Sequence, residues 1–172
     1  MNKRPRKYVL DTQLFIDAFR NPVANEALQQ FHRAFSPFEY LSVIVAQELR
    51  SGVQRPQDRR RLERHVLDVF KRANRTIAPS PEAWHKSGDL LAQLAREEGL
   101  EIARLSKSFG NDVLLALSCR ETGCTLITDN QRDFQRIRRF VQFELLKPWP
   151  GPRQGFTLNL RTSRTPRTPR TP

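Results

Sequence analysis

Four acidic residues occupy positions from which a fold can bring them together. Asp11 directly follows the apolar run Tyr8-Val9-Leu10, and Asp129 directly follows Leu126-Ile127-Thr128. Glu48 comes one helical turn after the apolar run at 41–45, and Asp112 opens the helical pattern that continues from Asn111. Carboxylates gathered without a base among them repel one another and hold their protons more tightly, unless a cation neutralises them. With neither His nor Cys in the set, such oxygen donors suit Mg²⁺ or Mn²⁺. Each acid also has a plainer role: Asp11 and Asp129 as N-caps, Asp112 as a charge at a helix end, Glu48 as a solvated helix residue. Two acids placed at strand ends, taken with the other two, favour the shared role.

The elements that must position these acids are legible in the hydrophobic spacing. Short β-type runs at 8–10, 41–45, 76–78, 124–128 and 140–143 alternate with helical patterns. Helices are expected over 14–19, from Pro22, over 46–50, from Pro56 and from Pro81, then from Asn111 to Gly123 and over 133–139. Leu62, Val66, Val69 and Phe70 are expected to face inward, Trp84 to serve packing, and Gly52 and Gly99 to end their helices. The alternation predicts an α/β fold, a central and mostly parallel sheet flanked by helices in three layers. In such sheets the functional crevice lies beyond the carboxyl ends of the strands, where Asp11 and Asp129 fall.

Charge points to a partner. The chain has 172 residues, enough for one domain, with 30 Lys/Arg against 18 Asp/Glu and a net charge of +12. A polyanion such as nucleic acid is the partner that balance favours. The excess is uneven: Lys3, Arg4, Arg6 and Lys7 precede the first apolar run, and Arg161, Arg164, Arg167 and Arg170 follow the last. Between Arg50 and Arg75 lie nine basic and three acidic residues. We therefore divide the chain into a basic extension at 1–7, a folded domain at 8–147 and a Pro/Arg/Thr-rich tail at 148–172. The repeated Arg-Thr-Pro of that tail is expected to be disordered, either as a solvated extension or as an arm for RNA.

Other classes fall away. No stretch approaches the ~20 apolar residues of a membrane span, and the basic start lacks the apolar segment of a signal peptide. Cys119 and Cys124 form neither a disulfide framework nor a zinc knuckle. The expectation is a soluble, cytoplasmic protein with no membrane association. His32, His65 and His85 fall on helical patterns away from every strand end, so none is a candidate nucleophile or base.

The segments Tyr8-Val9-Leu10-Asp11-Thr12-Gln13-Leu14-Phe15-Ile16-Asp17, Val43-Ile44-Val45-Ala46-Gln47-Glu48-Leu49, Asn111-Asp112-Val113-Leu114-Leu115-Ala116 and Leu126-Ile127-Thr128-Asp129-Asn130-Gln131-Arg132-Asp133-Phe134 resemble the motifs of the PIN-domain nucleases. The bacterial VapC-type toxins are the nearest match, in order and spacing, from Tyr8 to Phe143. That resemblance implies a Rossmann-like PIN fold and a metal-dependent endoribonuclease, paired with a small antitoxin and forming a homodimer. Asp11, Glu48, Asp112 and Asp129 would be its catalytic, metal-holding acids, with Mg²⁺ or Mn²⁺ as cofactor. Gln13 stands where many relatives have Ser or Asn. Thr12, Thr128 and Asn130 keep polar groups near the strand ends, while Asp17 and Asp133 are assigned to helix stabilisation.

A non-cleaving PIN-like module that binds RNA or antitoxin is the principal rival, disfavoured by intact acids at all four positions. A phosphatase or receiver domain does not fit, because Thr12-Gln13 follows Asp11 where a second acid would stand two residues on. A plain basic nucleic-acid binder needs no acids at strand ends. The arginine-rich stretch at 55–64 has three readings: a solvated helix face, a guide for RNA, or a dock for an acidic antitoxin segment.

Overall fold

β1 (Lys7–Leu10) forms the middle of a five-stranded sheet in the computed structural model, which describes residues 6–99, 101 and 106–149. On one side it pairs with β2 (Glu39–Ser42) and, beyond that, β3 (Thr76–Ile77); on the other with β4 (Cys124–Ile127) and then β5 (Glu144–Leu146). The order β3-β2-β1-β4-β5 is parallel at every pairing. Parallel neighbours require crossovers, and the helices that make them flank the sheet. Val9, Leu10, Leu126 and Ile127 at the centre are almost wholly buried, as strands covered on both faces must be.

The chain leaves β1 through Asp11 into α1 (Thr12–Arg20), then turns at Asn21 into α2 (Pro22–Phe35). Leu14, Phe15 and Ala18 of α1 and Leu28 and Phe31 of α2 supply the buried stripe. Phe31 anchors an aromatic group, with Tyr8 at 5.8 Å, Phe35 at 4.9 Å and Trp149 at 5.3 Å between ring centres. Trp149, placed in the tail by sequence, therefore packs on the body; residues 150–172 lie outside the described residues, as do 1–5 of the basic extension.

Several expectations need correction. The apolar run at 41–45 is not one strand: β2 stops at Ser42, whose hydroxyl accepts the Ile44 amide and starts α3 (Val43–Gly52). A side-chain cap overrides the β-branched run. Gly52 lies within α3 rather than capping it, while Gly99 and Gly123 do end their helices in left-handed backbone, at φ 64° and 66°. The segment after Pro56 is broken: α4 (Pro56–Leu62) passes through a π-helical turn over Glu63–Leu67 into α5 (Asp68–Arg72). The extra residue of that turn shifts the helix phase, so Leu62, Leu67 and Phe70 are buried while Val69 is left 49% exposed.

α6 (Pro81–Glu98) buries Ala83, Leu90 and Leu94 but leaves Trp84 58% exposed, so Trp84 is not a packing residue. α7 (Lys107–Thr122) starts four residues before Asn111 because Ser106 caps it by accepting the Phe109 amide. It is buried almost all round, from Phe109 through Cys119. The last helix, α8 (Gln131–Arg138), packs Phe134 and Ile137, and the final strand is β5, not the run at 140–143. No helix among the described residues is long and apolar enough to cross a membrane.

At the amino-terminal edge of the sheet, Glu39 is 1% exposed and accepts from His32 Nδ1 at 2.6 Å. His32→Ala leaves this carboxylate buried without that partner, and the expected cost is about 2 kcal/mol. A thermal melt should record this as a loss of roughly 4–8 °C. Adding Glu39→Gln, which removes the charge, recovers part of the loss; a further loss would contradict the argument.

Candidate active site

The strand order reverses between β1 and β4, and the acids collect beyond the carboxyl ends of these two strands. The Asp11 amide donates to the Ile127 carbonyl at 3.0 Å, extending the β1–β4 ladder by one residue and fixing where its side chain emerges. One carboxylate oxygen of Asp11, Oδ1, accepts the Thr12 amide at 2.8 Å. The other, Oδ2, accepts the Thr128 hydroxyl at 2.5 Å. Asp11 thus caps α1 and faces the crevice at once, so the plainer role does not exclude the chemical one.

Glu48, on α3, reaches the same place. Its Oε2 accepts from the Thr12 hydroxyl and its Oε1 accepts from Asn111 Nδ2 at 2.8 Å. Asp112 lies one residue further along α7, well inside that helix, so it is not the terminal charge that its position in the sequence suggested. It is 8% exposed, and Asn130 Nδ2 donates to its Oδ2 at 3.3 Å. Asp129 follows β4 and is exposed, with Asn130 and not Asp129 acting as the N-cap of α8.

Asn130 ties the floor together. Its amide donates to the Thr128 hydroxyl at 2.9 Å, and its side-chain nitrogen is shared between Asp112 and Asp133, the latter at 3.2 Å. Asp133 also accepts from Arg136 at 3.3 Å, a pairing within α8 that matches its assigned helix role. Gln13 points away from the cluster and donates to Asp17 at 2.7 Å along α1. Asn111 is the polar residue whose aim sequence reasoning missed: it reads only as the start of a helix, and nothing but the packing of α3 against α7 turns it toward Glu48.

The electrostatics follow from burial and crowding. Burial raises the Asp112 carboxyl to about 8, with Asp11, Glu48 and Asp133 adding to the effect. Asp11 is also raised, chiefly by burial and then by Glu48 and Asp129, while its bonds from Thr128 and Thr12 oppose the shift. No Lys or Arg forms an ion pair with Asp11, Glu48, Asp112 or Asp129 among the described residues. In the arrangement described, no three His, Cys, Asp or Glu side chains converge closely enough to hold one ion. The donor chemistry fits a hard cation, since it is all oxygen and its negative charge lacks a basic partner.

A family model for the PIN domain matches residues 8–140. Among solved structures, the chain is similar to DNA-bound VapBC from Salmonella typhimurium, at 21% identity over 83% of this chain and 98% of that one, with a TM-score of 0.62. FitAcB from Neisseria gonorrhoeae matches at 22% identity over 83% and 98%, with a TM-score of 0.57. VapBC2 from Rickettsia felis, bound to a DNA fragment from their promoter, matches at 23% over 81% and 97%, with a TM-score of 0.53. At these identities the solved structures establish a shared fold. No curated protein matches the sequence. The family model spans the sheet from β1 through β4 and every helix that carries an acid of the crevice, and by that match the chain belongs to the PIN domain family.

Proposed function

We propose that the protein is a metal-dependent endoribonuclease that hydrolyses RNA phosphodiester bonds, and that it is the toxin of a toxin–antitoxin pair. The observation that carries this reading is the gathering of Asp11, Glu48 and Asp112 at the β1–β4 switch point, with Asp129 close enough to raise Asp11. Asp11, Glu48, Asp112 and Asp129 would hold Mg²⁺ or Mn²⁺. When bound, such an ion supplies Lewis acidity, lowering the pKa of a water and offsetting charge on the scissile phosphate.

The rest is work for the chain's own residues. The Thr128 hydroxyl and Thr12 amide fix both oxygens of Asp11, while the Thr12 hydroxyl and Asn111 fix both oxygens of Glu48. Pre-set carboxylates need less reorganisation when charge develops on the substrate. We assign the attacking role to water and an orienting role to the Thr12 and Thr128 hydroxyls, which donate to Glu48 and Asp11. The similarity to VapBC structures supports a small antitoxin as protein partner, and the family resemblance adds a second copy of the chain.

The direct test incubates the full chain with RNA in Mg²⁺ or Mn²⁺, then in EDTA, then with metal restored. Cleavage should appear, stop and return. Cleavage that persists in EDTA removes the metal from the mechanism, and RNA binding without cleavage across many RNAs favours the inert module.

A further inference from the structure

Glu48, one acid of the crevice, also lines a trough of about 330 Å³ together with Ile16, Phe19, Arg20 and Arg61. Phe19, Arg20 and Arg61 also border a wider cleft of about 660 Å³, so these three side chains line both hollows. Arg61 touches a third, shallower depression together with Arg60, Arg64 and His65. α1 connects the two regions physically: Asp11 caps its start in the crevice, and Phe19 and Arg20 end it at the two hollows.

What lies along this path is unusual for a solvated face. Phe19 is 55% exposed, leaving an aromatic ring in water beside guanidinium groups. Arg20, Arg60, Arg61 and Arg64 are exposed, and among the described residues none is held in an ion pair. Arg50 and Arg72, in contrast, face Glu63 and Asp68. Asp58 is the one acid besides Glu48 on the trough wall. Free cations together with an exposed ring, leading to a site for phosphodiester chemistry, match the two faces of a polynucleotide, its phosphates and its bases.

We propose that this trough is the track of a single-stranded RNA segment, with Phe19 stacking one base and Arg20 and Arg61 holding flanking phosphates. The inference rests on the nuclease reading above and deepens it by assigning the substrate path. The strand must be single because a paired base offers Phe19 no free face, whereas stacking on an aromatic side chain accepts any unpaired base. Arginine suits the phosphates, since its planar fork can donate twice to one phosphate group.

The experiment measures binding with cutting switched off. A fluorescent single-stranded RNA of about 12 nucleotides, a length that spans one such site, is titrated in EDTA with the full chain and its variants. Phe19→Ala should weaken binding about tenfold, while Phe19→Tyr keeps the ring and the affinity. Arg61→Ala should weaken it several-fold and lower the slope of log affinity against log salt by about 0.7, one phosphate contact. Arg120→Ala, on the exposed end of α7, should change neither. Wild-type affinity in both Phe19→Ala and Arg61→Ala, or no measurable affinity in the wild type, overturns the proposal and favours a protein segment as the occupant. Cleavage of the same RNA on adding Mn²⁺ is scored separately. Phe19-dependent binding with no cleavage of this RNA or of a panel of others keeps the track and removes the nuclease reading, and cleavage with unchanged affinity in the two variants does the reverse.

Discussion

Asp11→Asn lowers metal-dependent RNA cleavage by about 10³-fold or more and leaves the protein folded. The size follows from what the charge does: a loss of about 4 kcal/mol in transition-state stabilisation is a factor near 10³. Folding survives because the neutral amide keeps an oxygen to accept the Thr12 amide at the start of α1, the contact that Asp11 makes at 2.8 Å. The substitution puts an NH₂ group in place of a carboxylate oxygen, and the Thr128 hydroxyl can accept from it once it turns. Single-turnover rates across a Mn²⁺ titration, with melts on the same samples, separate the two effects. Asp17→Asn provides the contrast, because Asp17 pairs with Gln13 along α1 and, among the described residues, its side chain makes no hydrogen bond with Asp11, Glu48, Asp112 or Asp129. Its rate should stay within a few-fold of the wild type. Wild-type cleavage by Asp11→Asn at saturating Mn²⁺ would remove the cluster from catalysis.

That contrast between two acids of one motif shows where sequence reasoning succeeds. Asp11 was legible because a strand of Tyr8, Val9 and Leu10 ends at it, and strand ends in a parallel sheet face the crevice. The helices opening at Pro22 and Pro81 and stopping at Gly99 and Gly123 were legible for equally local reasons, a fixed φ at one end and left-handed backbone at the other. The π-helical turn at Glu63–Leu67 was not, because it depends on how α4 and α5 fit the body, and it reversed the expected facing of Val69. Asp112 was found for its motif but misplaced by a helical turn, since Ser106 sets the start of α7 from a segment with no apolar signal. Asn111 reads in the sequence only as the start of a helix, and Glu39 carries no signal there at all. Each gains its meaning from a partner distant in the chain or across a helix, Glu48 for one and His32 for the other.

With metal removed, the protein loses stability as pH rises from about 5 to about 9, and Asp112→Asn abolishes most of that dependence. The Asp112 carboxyl titrates at about 8 in the folded chain, far above the ordinary value for an aspartate. A raised acid binds its proton more tightly folded than unfolded, so its stabilisation is complete below the ordinary value near 4 and is lost as pH rises toward 8. Asp11, raised by the same burial and crowding, adds in the same direction. The sign is opposite to that of a carboxylate held by an arginine, because nothing basic receives the charge here. Water entering the ionised crevice keeps the cost to on the order of 2 kcal/mol rather than the full value of so large a shift. Wild type and Asp112→Asn should therefore melt together near pH 5 in EDTA and separate by roughly 4–8 °C near pH 9, the variant being the more stable. Mn²⁺ reverses the order: at about a hundredfold over its dissociation constant it adds about 2.7 kcal/mol to the wild type and much less to the variant. Its affinity should rise with pH, because the ion competes with the proton on Asp112. A gap between the two melting curves that stays constant over the whole pH range would show that Asp112 is already ionised and paired, and would leave the crevice without the uncompensated charge on which its affinity for a cation depends.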